Sequence, residues 1–249
     1  MNVKLAAFAC ALLAVALSGG GATAGPTPFA MPEVTAPPHP LRLLGPGRDA
    51  FTFLRTCAQT GNRYVMATSE IPPGGGPPPH VHIWTAEWFY FPEDGFRLEV
   101  GSRRYTSLSQ IPGKTAPKDT VHRIMAHRGD LYFGPSGMLH SFLNTTNRTL
   151  PIVTVWAPDD GTTAYFKAVG QPLSEQQSEN PPPESRVEQS KVVLAAPKFG
   201  LIASESHDEF VSGFDTTLPP DMADNHAAEL VKLLTEDGPP VKTHIPCGG

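Results

Sequence analysis

Between Phe51 and Trp156 the apolar residues come in short bursts rather than at helical spacing. Segments near 51–57, 63–69, 87–92, 96–101, 130–133, 138–144 and 152–156 are rich in β-branched and aromatic residues. Each is bounded by Gly, Pro, Asn or Asp, as strands usually are. Residues two apart on a strand share a face. Glu87, Phe89 and Phe91 therefore lie on one side, with Trp88 and Tyr90 on the other, and both faces read as buried. Glu93-Asp94-Gly95 is a hairpin turn signal. Seven or more short strands joined by regular turns predict an all-β fold, either a closed barrel or a double-sheet jelly roll.

Helical spacing is confined to two places. Thr162 to Val169 predicts a short helix that packs Tyr165, Phe166 and Val169 on the barrel. Met222 to Thr235 places Ala227, Leu230, Val231 and Leu234 on one stripe, with Asp221 or Asp224 as a cap. The chain divides accordingly. Residues 25–47 form a Pro-rich arm, 48–170 a barrel, 171–190 a polar, Pro-rich disordered linker, and 191–249 an appendage carrying the helix near 222–235. The polar stretch 107–120 reads as a surface insertion.

Residues 1–24 have the form of a signal peptide. Lys4 precedes the apolar run Leu5–Leu17, and Ala22-Thr23-Ala24 offers small residues for cleavage. That run is shorter than the roughly 20 residues a membrane span needs. A secreted or periplasmic protein is expected, with no membrane association after cleavage. The net charge of −5, and a longest basic cluster of only Arg103-Arg104, argue against a nucleic-acid partner. Cys57 and Cys247 remain after cleavage. A bridge between them would tie the tail to the barrel in an oxidising compartment; two free thiols are the alternative, and the sequence leaves both open.

The chemistry concentrates in two short stretches. His80 and His82 project together from one strand. A bend around Trp84-Thr85-Ala86 lets Glu87 begin the next strand and face back inward. His140 follows the tight turn Gly134-Pro135-Ser136-Gly137, on the same face as Phe142 and Asn144. Three imidazoles and one carboxylate suit one divalent transition metal (Fe, Mn, Ni, Co, Zn or Cu) and do not suit Ca or Mg. In an octahedral site four protein ligands leave two positions for water, dioxygen or a bidentate oxygen substrate. Trp84, Phe89, Phe91 and Phe142 are the expected aromatic walls of a substrate cup.

These residues resemble the two motifs of the cupin superfamily. Gly74-x5-His80-x-His82-x4-Glu87 looks like the first, and Gly129-x5-Pro135-x-Gly137-x2-His140-x3-Asn144 fits the second at every fixed position. The one departure is Gly95, a residue later than usual, which implies a longer hairpin. The resemblance covers roughly residues 48–170. It implies a single jelly-roll β-barrel with a small, mainly helical or irregular appendage, and metal ligands His80, His82, Glu87 and His140. PPGGGPPPHVH, AEWFYF and PSGMLHSFLN look most like single-domain bacterial cupins described as quercetin 2,3-dioxygenase-like. Carried over, Glu87 would be both ligand and proton acceptor.

Fold does not fix activity, so three functions stand as expectations. The first is a metal-dependent dioxygenase acting on a phenolic or enol small molecule. The second is another metal-cupin enzyme, such as a germin-like or oxalate oxidase or an isomerase. The third is a non-catalytic module that captures a small ligand or a metal. Exposed sheet edges invite pairing, and the family often pairs, which allows a homodimer.

Overall fold

The computed structural model describes residues 28–179, 187–204, 206–217, 219, 222 and 224–247. The proposed signal peptide lies outside the described residues, as do 180–186 of the linker. In chain order the strands are β1 (Arg42–Leu44), β2 (Ala50–Arg55), β3 (Val65–Ile71), β4 (His80–His82), β5 (Ala86–Phe91), β6 (Phe96–Arg104), β7 (Asp119–Ala126), β8 (Asp130–Gly134), β9 (Met138–Asn144), β10 (Leu150–Ala157), β11 (Gln171–Pro172), β12 (Leu201–Ala203) and β13 (Val211–Asp215). The α-helices are α1 (Cys57–Thr60), α2 (Thr162–Val169), α3 (Glu175–Glu179), α4 (Gln189–Ala195) and α5 (Ala227–Thr235).

The strands form two sheets. One has the order β11-β1-β2-β3-β10-β5-β8, the other β12-β4-β9-β6-β7-β13. The fold is thus the all-β, jelly-roll type expected. It is two facing sheets and not a closed barrel, because no ladder joins them among the described residues. The chain crosses between sheets at Ile83-Trp84-Thr85, where β4 ends and β5 begins. Thr85 Oγ1 fastens this crossing by donating to the Pro158 carbonyl at 3.1 Å.

Both faces of each sheet are covered, which explains the lack of clean apolar-polar alternation. Between the sheets lie two apolar clusters. One gathers Phe89, Phe91, Phe96, Leu98 and Phe142. The other gathers Phe51, Phe53, Trp156 and Phe166 with Val187, Val192 and Leu201 from beyond the barrel region. The outer face of the first sheet presents Met66, Trp88, Leu131 and Val155. These pack against Leu230 of α5 and against Phe29, Met31 and Val34 of the arm. Leu230 is fully buried, and burying a leucine contributes about 1.5–3 kcal/mol. The outer face of the second sheet presents Val81, Val121 and Leu139. It is covered by Leu108, Ile111 and Ala116 of the polar insertion and by Phe210. The insertion is therefore a cover for that sheet and does not sit over the cup.

Several boundaries moved. Residues 51–57 were expected to be one strand, but β2 stops at Arg55 and Cys57 opens α1. The cause is local: Gln59 Oε1 accepts from the Thr56 backbone N–H at 2.7 Å, and Gly61 closes the turn in the left-handed region at φ 62°. β7 exposes Thr120 and Met125 and only half-buries His122, Arg123 and Ile124, and that mixed pattern hid it. Part of the expected linker is ordered, since β11 pairs with β1 and α3 follows it. The appendage does more than dock: β12 pairs with β4, and β13 runs parallel to β7.

Cys57 and Cys247 form a disulfide with Cα atoms 5.5 Å apart. The tail is also held at Val241 N–H to the Gly61 carbonyl (2.8 Å) and at Ile245 N–H to Asp160 Oδ1 (3.0 Å). The bridge closes a span of 190 residues, and a long closed loop is the kind a cross-link stabilises most. Cys247→Ser is expected to lower the urea midpoint by the equivalent of about 2–4 kcal/mol. Excess reductant should reproduce that loss in the unmutated protein and leave the variant unaffected.

Candidate metal centre

The site is assembled across the gap between the sheets. β4 supplies His80 and His82, and β9 supplies His140 directly opposite His80 in the ladder. All three imidazoles come from the second sheet. Glu87 comes from β5 of the first sheet. One donor atom from each of the four lies within 4.8 Å of the others. The His80 and His140 ring centroids are 4.4 Å apart, and the His82 and His140 rings are near-parallel at 5.4 Å. His82, Glu87 and His140 are buried, and His80 is half-buried on the open side.

Backbone carbonyls set the tautomers. His80 Nδ1 lies 3.0 Å from the Pro78 carbonyl, and His140 Nδ1 lies 3.0 Å from the Met138 carbonyl. Each Nδ1–H donates there, which leaves the Nε2 lone pair facing inward. His140 Nε2 is 3.0 Å from Glu87 Oε2, and His82 Nε2 is 3.6 Å from the same oxygen. Neither His140 Nε2 nor Glu87 Oε2 has a hydrogen-bond partner. An unsatisfied buried polar atom costs about 1–3 kcal/mol. Two lone pairs at this separation also repel unless a positive centre, proton or cation, sits between them. Three neutral nitrogens and one carboxylate oxygen match a divalent transition ion. Such an ion fits the residues present and satisfies both orphaned atoms.

The electrostatics agree. Burial, with the neighbouring His140, pulls His80 down to about 3. Burial pulls His140 down to about 4 and holds His82 well below its ordinary 6.5. Burial pushes Glu87 up to about 8, eased by His80 and Trp156. Trp156 stands across from Glu87 in the β5–β10 ladder.

The cluster borders a cavity of about 40 Å³. That is room for roughly three waters. Of the four aromatic walls expected, Phe142 lines it. The other three do not. Phe89 sits edge-on behind His140 at 5.2 Å, and Phe91 packs on Phe96 deeper in the core at 5.2 Å. Trp84 turns outward at the sheet crossing and stacks on His244 of the tail at 4.3 Å. The aromatic walls are instead Phe51, Trp156, Tyr165 and Phe166, joined by Val192 and Leu201 from the appendage. Asp49 and Thr154 also line it. No spacing motif marks these residues; only inward alternation on β10 hints at Thr154 and Trp156.

With the histidines neutral across the working range and Glu87 protonated below about 8, metal entry must displace the Glu87 proton. Uptake by metal-free protein near pH 6.5 should release about one proton, and affinity should rise with pH until about pH 8. Indicator-dye titration checks the first and competition with a chelator the second. Glu87→Gln should abolish the proton release, and His140→Ala should remove stoichiometric metal.

No protein-family model and no curated protein matches the chain. Solved structures similar to it are cupin and double-stranded β-helix proteins. The Cnp3 cupin domain of Schizosaccharomyces pombe is 15% identical, covering 49% of this chain and 68% of its own, with a TM-score of 0.33. The polyketide cyclase RemF from Streptomyces resistomycificus is 20% identical over 60% and 92%, with a TM-score of 0.35. A predicted oxalate decarboxylase from Thermotoga maritima is 22% identical over 48% and 91%, with a TM-score of 0.34.

Proposed function

We propose that the protein is an exported, metal-dependent dioxygenase of the quercetinase-like kind, acting on a phenolic or enolic small molecule. One observation carries this reading. The four-ligand cluster opens onto a cavity walled by aromatic and aliphatic side chains, with no Lys or Arg among its lining residues. A substrate dianion such as oxalate would find only the ion's own charge, already partly offset by Glu87, with no basic side chain in the lining to balance the rest. A neutral enol or phenol loses little on entry and gains contact with Phe51, Phe142 and Phe166.

The protein's own groups then have defined tasks. When bound, a divalent ion supplies Lewis acidity and open positions for oxygen ligands. Glu87 can take the substrate's hydroxyl proton, since burial raises its basicity toward that of an activated enol. The Pro78 and Met138 carbonyls keep His80 and His140 in the tautomer that points Nε2 at the centre. The apolar walls exclude water from the activated substrate. Three waters occupy ~90 Å³ in the liquid. That is below the roughly 150 Å³ of a cavity that holds benzene, so the Val192–Leu201 wall has to yield even for one ring, and further for a three-ring flavonol. Export is supported by the Cys57–Cys247 bridge, because disulfides persist in oxidising compartments.

Protein loaded separately with Fe, Mn, Ni or Co is expected to consume oxygen with single-ring enols or catechols, and more slowly with flavonols. Glu87→Gln should lower turnover by about a hundredfold or more, with metal content measured alongside. Absence of uptake with every metal and both substrate classes would overturn the dioxygenase reading.

A further inference from the structure

The cavity contains polar groups that the metal cluster does not use. Asp49, Thr154 and Trp156 are 2%, 1% and 3% exposed. Each lines the cavity. Asp49 Oδ1 and Thr154 Oγ1 have no hydrogen-bond partner in the protein, and Trp156 Nε1 has none beyond the neighbouring Glu87 carboxyl. They arrive from two elements. Thr154 and Trp156 are two apart on β10 and face the same way, and Asp49 immediately precedes β2. A backbone N–H of Gly47 serves the Asp49 carboxyl, so the turn there does not need Oδ1. Buried polar atoms in a folded chain are nearly always paired. Two exceptions lining one cavity beside the four-residue cluster, with the Trp156 N–H close by, point to a ligand that pairs them.

We propose that Asp49, Thr154 and Trp156 form a second recognition element, and that the substrate bears a hydroxyl in addition to the oxygen pair directed at the metal. This rests on the enol or phenol reading above and narrows it. The donor inventory selects the hydroxyl. Trp156 can only donate, Thr154 can donate and accept, and the Asp49 carboxyl accepts and, when protonated, also donates. A hydroxyl both donates and accepts, so it can satisfy all three types. Burial pushes Asp49 up to about 7, with the Glu87 charge adding to the rise. A second carboxylate or phosphate on the substrate would find no basic side chain in the lining at this end of the cavity. The element also explains why the cavity is not wholly apolar: Phe51, Phe142, Phe166, Val192 and Leu201 enclose the ring, and the polar trio reads its substituent.

The test compares two probes, catechol and hydroxyquinol, which differ by one ring hydroxyl. Full-length protein loaded with Co(II) is titrated without oxygen, and binding is read from the visible Co(II) spectrum. Hydroxyquinol is expected to bind about tenfold tighter than catechol. Asp49→Leu should erase that preference, with Co(II) still held at one per chain. Thr154→Val should reduce it. Equal affinity for the two probes in the unmutated protein overturns the proposal, as does a preference that survives Asp49→Leu. If Asp49→Leu does not fold, an unchanged ratio in both Asp49→Asn and Thr154→Val overturns it. Failure to hold Co(II) in the unmutated protein sinks the metal reading itself. Co(II) held at one per chain without a probe preference sinks only the recognition element.

Discussion

Two lone pairs facing each other across a sheet interface organise this molecule. Glu87 Oε2 and His140 Nε2 lie 3.0 Å apart, both buried, one from each sheet. The arrangement is stable only around a positive centre. A proton can fill that place, and burial, by penalising the charged carboxylate, also drives Glu87 toward its neutral form. A divalent ion fills it better, because it engages His80 and His82 as well. The ion would thus join the two sheets as well as provide chemistry, at the place where no backbone ladder links them.

The surrounding architecture protects that centre by layering. The outer face of one sheet is covered by the N-terminal arm and α5, and that of the other by the insertion after β6 and the segment around Phe210. Such coverage lets both faces of β5 and β9 be apolar, and it removes water from the region where a charge is concentrated. The disulfide holds the tail down, and the tail in turn stacks His244 on Trp84 at the crossing between β4 and β5. Gly200 makes that crossing close-packed, since a Cβ there would fall 2.3 Å from the Trp84 ring. The chain beyond residue 190 is therefore structural to the site: β12 pairs with the strand that carries His80 and His82, and Val192 and Leu201 complete the cavity wall.

Chemistry follows from what lines the cavity. Aromatic walls and a lining without cationic side chains are what support the proposed neutral, ring-like substrate. In the proposed recognition element, a buried acid and two further polar groups within the same small volume would make binding selective, since a ligand lacking their partner leaves them unsatisfied.

The ligand set was legible in the sequence because it depends on local geometry. His80 and His82 two apart, a bend before Glu87, and a Pro-Gly turn before His140 are features of a few consecutive residues. So were the short strands and the α2 and α5 stripes. Only the tertiary structure decided which aromatic residues line the cavity. Trp84 stands nearest the histidines in sequence, yet the sheet crossing turns it outward, while Phe51, Trp156 and Phe166 come from strands and a helix brought in by long-range pairing. It also decided that Asp49 is buried beside the centre and that the appendage walls the cavity. Alternation says which face a residue takes on its own strand; what stands opposite is settled by how two sheets stack, and no local pattern encodes that.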